Sequence, residues 1–125
     1  MFADTKAFSS FAVDDLDRAE RFYGETLGLA TKRWMDGGLL VLELVGGRDT
    51  LVYPRPGHEP AAFTVLNFPV DDIDAAVDQL LERGVAFERY PGFDQDERGI
   101  SRGEGPEIAW FKDPAGNVLS VLAEQ

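Results

Sequence analysis

The side chains that usually carry chemistry are sparse in this chain. His58 is its only histidine and it has no cysteine, so disulfides, thiolate metal ligands and thiol nucleophiles are all excluded. His58 lies in the Pro- and Gly-rich stretch YPRPGHEPA. It can act as a general base there only if that segment folds over a substrate, and a solvated loop histidine is the plainer expectation. Glu59 beside it adds one donor, and two adjacent residues are too few to hold a metal ion. The stretch PGFDQDERGISRGEGP, from Pro91 to Pro106, is long for a connection between strands. It offers Arg98, Arg102 and Glu104 to a polar ligand if it closes as a lid, and forms a solvated loop otherwise. There is no Gly-x-Ser-x-Gly, no His-Glu-x-x-His, no Gly-x-x-x-x-Gly-Lys and no basic stripe with interleaved aromatics, which removes the usual signatures of hydrolases, zinc proteases, nucleotide-binding loops and nucleic-acid binders.

Charge narrows the partners further. The chain has 23 acidic and 12 basic residues, a formal net charge of -11, and such a field repels phosphate backbones and anionic membrane surfaces. No nucleic acid and no membrane partner is expected. An acidic surface favours a cationic ligand, and it also serves plain solubility. The first residues, MFADTKAFSSFAVDD, contain no basic segment followed by an apolar one, and we expect a soluble, unprocessed cytoplasmic protein. At 125 residues, 44% of them apolar, the length suits one domain with an ordinary core.

The elements that must position any site follow from an internal repeat. FAVDDLDRAERFYGE from Phe11 matches FPVDDIDAAVDQLLE from Phe68 in register at Phe, Val, Asp-Asp, Asp, Ala and Glu, which reads as a duplicated module. Each copy opens with a strand, TKAFSSFAV or AFTVLNFPV, and passes into an Asp-rich helix start. In the first helix Asp14 is the expected cap, Leu16, Ala19, Tyr23 and Leu27 form the apolar stripe, and Gly28 ends it. In the second Asp71 is the cap, Ile73, Ala76, Val77, Leu80 and Leu81 are the stripe, and Gly84 is the terminator. Further strands are expected at ATKRWM, GLLVLELV and DTLVYP, then at VAFERY, PEIAWF and NVLSVL. Gly37-Gly38, Gly46-Gly47 and Asp113-Pro114-Ala115-Gly116-Asn117 supply the turns.

The pattern is βαβββ twice, an α+β fold. Strand parity assigns faces. Ser9, Phe11 and Val13 should face the first helix and Phe8, Ser10 and Ala12 the open side. Leu66, Phe68 and Val70 should face the second helix, leaving Phe63, Val65 and Asn67 open. A buried amide at Asn67 must be hydrogen-bonded, either to neighbouring backbone or to a ligand.

With VDDLDRAERFYGETLGL in the first module and WFKDPAGNVLSVL closing the second, the chain resembles the vicinal-oxygen-chelate superfamily of glyoxalases, bleomycin-resistance proteins and dioxygenases. The resemblance covers essentially the whole chain. The motifs are a strand ending in Val-x-Asp, a helix carrying Phe-Tyr and closing in Leu-Gly-Leu, and a terminal Asp-Pro-x-Gly-Asn hairpin. It implies a single domain, 1–125, of module 1 (1–55) and module 2 (61–125), whose curled mixed sheets form a central cup, and often a homodimer. In metal-dependent members the first and last strands of each module supply the ligands. Carried over one at a time, those positions hold Phe8, Val65 and Ser120, with the fourth near Val52. Phe and Val offer no donor and one serine cannot hold an ion, so no metal and no cofactor is expected.

The cup implied by the resemblance would be lined by Phe8, Phe63, Val65, Trp110 and Tyr53, with Ser10, Asn67 and Ser120 as polar groups. That lining suits an apolar or aromatic ligand, and it equally describes aromatics packed as core. Trp34 and Trp110 are large anchors for a ligand or a partner subunit. The leading expectation is a metal-independent protein that binds and sequesters a small cationic or aromatic compound, as the bleomycin-resistance branch does. The alternatives are a glyoxalase- or dioxygenase-type lyase or isomerase with non-standard ligands or a metal-free mechanism, and a structural module that merely dimerises.

Overall fold

A computed structural model describes residues 1–103 and 105–124. The element order is β1 (Ser10–Val13), α1 (Leu16–Glu20) continued by a π-helical segment (Arg21–Thr26), β2 (Ala30–Trp34), β3 (Leu39–Glu43), β4 (Thr50–Pro54), β5 (Thr64–Val70), α2 (Ile73–Glu82), β6 (Ile108–Lys112) and β7 (Val118–Ala123). The chain divides into two compact units, Met1–Pro60 and Ala61–Gln125. Among the described residues no helix is long and apolar enough to cross a membrane.

The first unit is a four-stranded mixed sheet in the order β1-β4-β3-β2, with β1 parallel to β4 and the other pairs antiparallel. Its helix begins one residue later than expected. Asp15, not Asp14, is extended (φ -139°, ψ 108°), and its carboxylate accepts from the N–H groups of Asp17 and Arg18, satisfying donors that the first turn leaves unpaired. Beyond Glu20 the helix widens, Leu27 N–H donating to Phe22 O at 2.9 Å, and Gly28 at φ 77° takes the left-handed position that ends it. Ala19 and Tyr23 are buried with Val13, Leu40, Leu42 and Val52, and the Tyr23 ring tilts against Phe11 at 5.9 Å. One face of the sheet is therefore a closed core under the helix. The β2–β3 turn departs from the expectation that glycine alone takes positive φ. Met35 and Asp36 stand at 54° and 57° before Gly37 at 86°, and Gly38 N–H, donating to Met35 O at 3.1 Å, makes Asp36 and Gly37 the central left-handed pair that suits right-handed strand twist.

The second unit is a three-stranded mixed sheet in the order β5-β7-β6, with β5 parallel to β7 and β6 antiparallel to it. Its helix too starts one residue late, Asp72 rather than Asp71 accepting from Ala75 N–H at 3.1 Å, and Gly84 ends it at φ 86°. Ile73 and Val77 are buried with Phe111, Leu119 and Val121, whereas Leu81, expected in the stripe, is 41% exposed. The strand expected at VAFERY reduces to a single bridge, Phe87 to Phe111. Beside that bridge Glu88 N–H donates to Trp110 O at 2.8 Å, and the rest of the backbone is committed elsewhere: Tyr90 N–H donates to Gln95 Oε1 at 2.8 Å and Gln95 Nε2 donates to Glu88 O at 2.9 Å. One side-chain amide thus replaces a ladder partner, and Pro91 brings no N–H to continue one.

Candidate functional site

In the first unit the face opposite the helix is open. Register places Ser10 beside Leu51, Leu51 beside Val41 and Val41 beside Lys32, one row across all four strands, since residues directly opposite share a face. Alternation adds Trp34 on β2 and Tyr53 on β4. A cleft of about 270 Å³ lies here, lined by Phe8, Lys32, Trp34, Val41, Leu51 and, from the β3–β4 connection, Arg48 and Asp49. Phe8 and Trp34 are each 55% exposed, so their rings remain available to a ligand. The Arg48 guanidinium carbon stands 6.0 Å from the centre of the Phe8 ring, at the outer reach of a cation–π contact.

In the second unit the face opposite the helix carries a row of Asn67, Ser120 and Trp110. Ser120 is fully buried and donates its hydroxyl to Asn67 Oδ1 at 2.5 Å. The amide of Asn67 thus meets a side chain, where neighbouring backbone or a ligand was expected. Trp110 is edged by Tyr90 at 5.4 Å and Phe93 at 5.0 Å. Val65 falls at the register shift between Thr64 and Leu66, and Phe63 stands 70% exposed just before β5.

Of the residues expected at a site, Phe8 lines the first-unit cleft, and Ser10 and Tyr53 share its face without lining it. Asn67, Ser120 and Trp110 form the second-unit row. Lys32, Val41, Arg48, Asp49 and Leu51 were missed as lining residues, although the strand parity applied to β1 would have picked out Lys32, Val41 and Leu51 if carried to β2, β3 and β4. His58 is half-buried, its Nε2 without a hydrogen-bond partner, and Glu59 is exposed.

The 91–106 segment is pinned rather than free. Arg98 pairs with Asp78 Oδ1 at 2.7 Å and with Asp74, both on α2. Arg102 pairs with Asp74 Oδ1 at 2.6 Å and with Glu107. Hydrogen bonds from Arg102 and then Arg98 hold the Asp74 carboxyl below its ordinary range, and the two guanidinium groups are correspondingly raised. Both arginines are thus paired with carboxylates of α2, Arg102 also with Glu107; Glu104 lies outside the described residues.

The metal positions implied by the resemblance do not fit a divalent ion. Phe8 and Val65 have no donor atom, and the Ser120 hydroxyl already serves Asn67. Val52 is fully buried on the helix side, the open side of β4 carrying Leu51 and Tyr53 instead. Among the described residues no three His, Cys, Asp or Glu side chains lie close enough to share an ion.

Residues 7–121 match the model of the Glyoxalase/Bleomycin resistance protein/Dioxygenase superfamily. The chain belongs to that superfamily. Solved members share its fold over nearly their full length. TnmS3, an antibiotic binding protein from Streptomyces sp. CB03234, superposes with a TM-score of 0.72 at 26% identity, covering 98% of each chain. A glyoxalase/bleomycin resistance protein from the same organism gives 0.67 at 28%, covering 94% of this chain and 99% of that one. A superfamily member from Sphaerobacter thermophilus DSM 20745 gives 0.73 at 23%, covering 99% and 100%, and speaks for the fold alone. No curated protein matches the chain. The chain itself divides into two compact units.

Proposed function

We propose that the protein binds a small organic molecule with an aromatic body, without a metal, and sequesters it unchanged. The observation that carries this is the first-unit cleft, lined by the rings of Phe8 and Trp34, Phe8 standing at a position that the resemblance assigns to a metal ligand. Apolar walls with a few polar groups are what such binding requires, and an antibiotic-binding protein among the structural neighbours supports it. Lewis-acid polarisation and metal-activated water need donors that these positions lack. A cytoplasmic setting and a homodimer belong to the same reading, and sedimentation equilibrium tests the second.

The experiment is a thermal-shift screen of aromatic natural products and cationic glycopeptides, run with and without EDTA, with mass spectrometry of each recovered ligand. At a hundredfold excess over its dissociation constant a ligand stabilises the fold by ~2.7 kcal/mol. The expected result is a rise in melting temperature for aromatic compounds, indifferent to EDTA, with ligand mass unchanged. Stoichiometric Fe, Mn, Ni or Zn that is lost in step with a catalytic activity would overturn the proposal.

A further inference from the structure

We infer that the ligand of the first-unit cleft carries an acidic group, a carboxylate or ionised phenol, on its aromatic body; this rests on the small-molecule reading above and specifies its charge. The chain is strongly acidic as a whole, yet the cleft brings together two cations, Lys32 and Arg48, and one anion, Asp49. Its local sign is opposite to that of the protein.

The state of those cations is the second observation. Arg33, Arg98, Arg102 and Lys112 each sit against carboxylates. Lys32 and Arg48 make no ion pair among the described residues, not even with Asp49, and the Arg48 guanidinium stands over the face of the Phe8 ring, 6.0 Å from its centre. Lys32 projects from the middle of β2 on the face of Val41, Leu51 and Trp34; Val41 lies directly opposite it, and Glu43, diagonal to it on the same face opposite Ala30, makes no ion pair with it among the described residues. While the cleft is open, water solvates both charges. A ligand lying on Phe8 and Trp34 displaces that water, and an ion stripped of water without a counter-charge is costly. A cationic ligand adds a third positive charge and a neutral one leaves at least one cation unmatched. An anion joined to the ring meets both, through charge-assisted hydrogen bonds.

Three naphthalene probes of nearly equal shape test this: 2-naphthoate, 2-naphthamide and 2-naphthylmethylammonium, titrated calorimetrically at low salt and followed by tryptophan fluorescence. Naphthoate is expected to bind about tenfold tighter than the amide, and the ammonium more weakly than either. The preference should shrink as salt approaches 1 M, where screening acts within ~3 Å. In Lys32→Gln/Arg48→Gln the ratio of naphthoate to amide affinity should fall to about one, while Arg48→Lys keeps most of it and Asp49→Asn widens it. Equal affinities in the wild type, a ratio unmoved in the double variant, or tightest binding of the ammonium overturns the charge assignment and leaves the binding reading standing. If none of the three gives heat or quenching up to millimolar concentration, both fall.

Discussion

Replacing Asp113 with alanine should cost the protein a large part of its stability, because one carboxylate organises the whole β6–β7 turn. Its Oδ1 accepts from the N–H groups of Ala115 and Asn117, each at 2.9 Å, and its Oδ2 from Asn117 Nδ2 at 3.0 Å. Asp113 is 4% exposed and Asn117 2%, so water cannot replace the lost acceptor. A hydrogen bond to a charged group contributes ~1.5–3 kcal/mol, and a buried donor left unpaired costs ~1–3 kcal/mol. Two of the three donors belong to the enclosed Asn117, which puts the loss at ~3–5 kcal/mol. For a domain between the small and mid-sized classes this lowers the melting temperature by ~10–20 °C. Asp113→Asn keeps an oxygen for the two backbone donors and should lose less than half as much. Urea unfolding followed by circular dichroism measures both, and a double variant with Asn117→Ala should cost much less than the sum of the singles, since the two residues share their bonds. An alanine variant within ~1 kcal/mol of wild type would refute the reasoning: the turn's own backbone bonds, Asp113 N–H to Asn117 O and Gly116 N–H to Asp113 O, both at 3.0 Å, would then suffice, and a cost below ~1 kcal/mol is what a single neutral hydrogen bond gives.

Other perturbations reach other parts of the molecule. Gly99→Ala places a Cβ 3.0 Å from Phe87 Cβ at φ 94°, combining a clash with a backbone region that L-residues avoid, and should destabilise by ~1–3 kcal/mol in the same urea assay. Trp34→Ala, which removes a ring 55% exposed in the cleft, should weaken 2-naphthoate by about tenfold in calorimetry, since a ligand covering ~60 Å² of it gains ~1.5 kcal/mol. The Asp74 carboxyl, lowered by Arg102 and Arg98 from its ordinary value of 3.8, contributes stability fully above that pH and loses it as the pH falls through the lowered value. Melting curves between pH 5 and pH 2 should therefore fall less steeply in Arg98→Met/Arg102→Met than in the wild type. An unchanged acid slope would show that the network adds nothing.

Local chemistry was legible wherever it is a matter of neighbours in the chain. The helices begin near an Asp that can reach the next free N–H groups and stop at Gly28 and Gly84, whose left-handed φ needs no partner elsewhere. Cap positions slipped by one residue because Asp14 and Asp15, like Asp71 and Asp72, are the same side chain in adjacent places. Only the direction the backbone takes out of β1 and β5 decides which carboxylate turns toward the helix. The VAFERY segment has the composition of a strand, yet it meets β6 only at Phe87 and Glu88, because the amide of Gln95 takes the Glu88 carbonyl and the Tyr90 N–H, a role that depends on how the 91–106 segment folds back over it.

For function the division is similar. The lack of cysteine and the single histidine are properties of the chain, and they limit the donor atoms available whatever the fold does. Which side chains share an open face was half visible, because period-two alternation assigns faces within a strand and says nothing about register between strands. Lys32 and Arg48 are 16 residues apart in sequence and on different elements; pairing of β2 with β3 and of β3 with β4 brings them to one cleft. Likewise only the tertiary structure set Asp74 and Asp78 of α2 against Arg98 and Arg102. Covalent sequence determined which groups exist and how each local segment bends. Long-range backbone pairing alone determined which charges meet a partner and which, in the first-unit cleft, are left facing solvent.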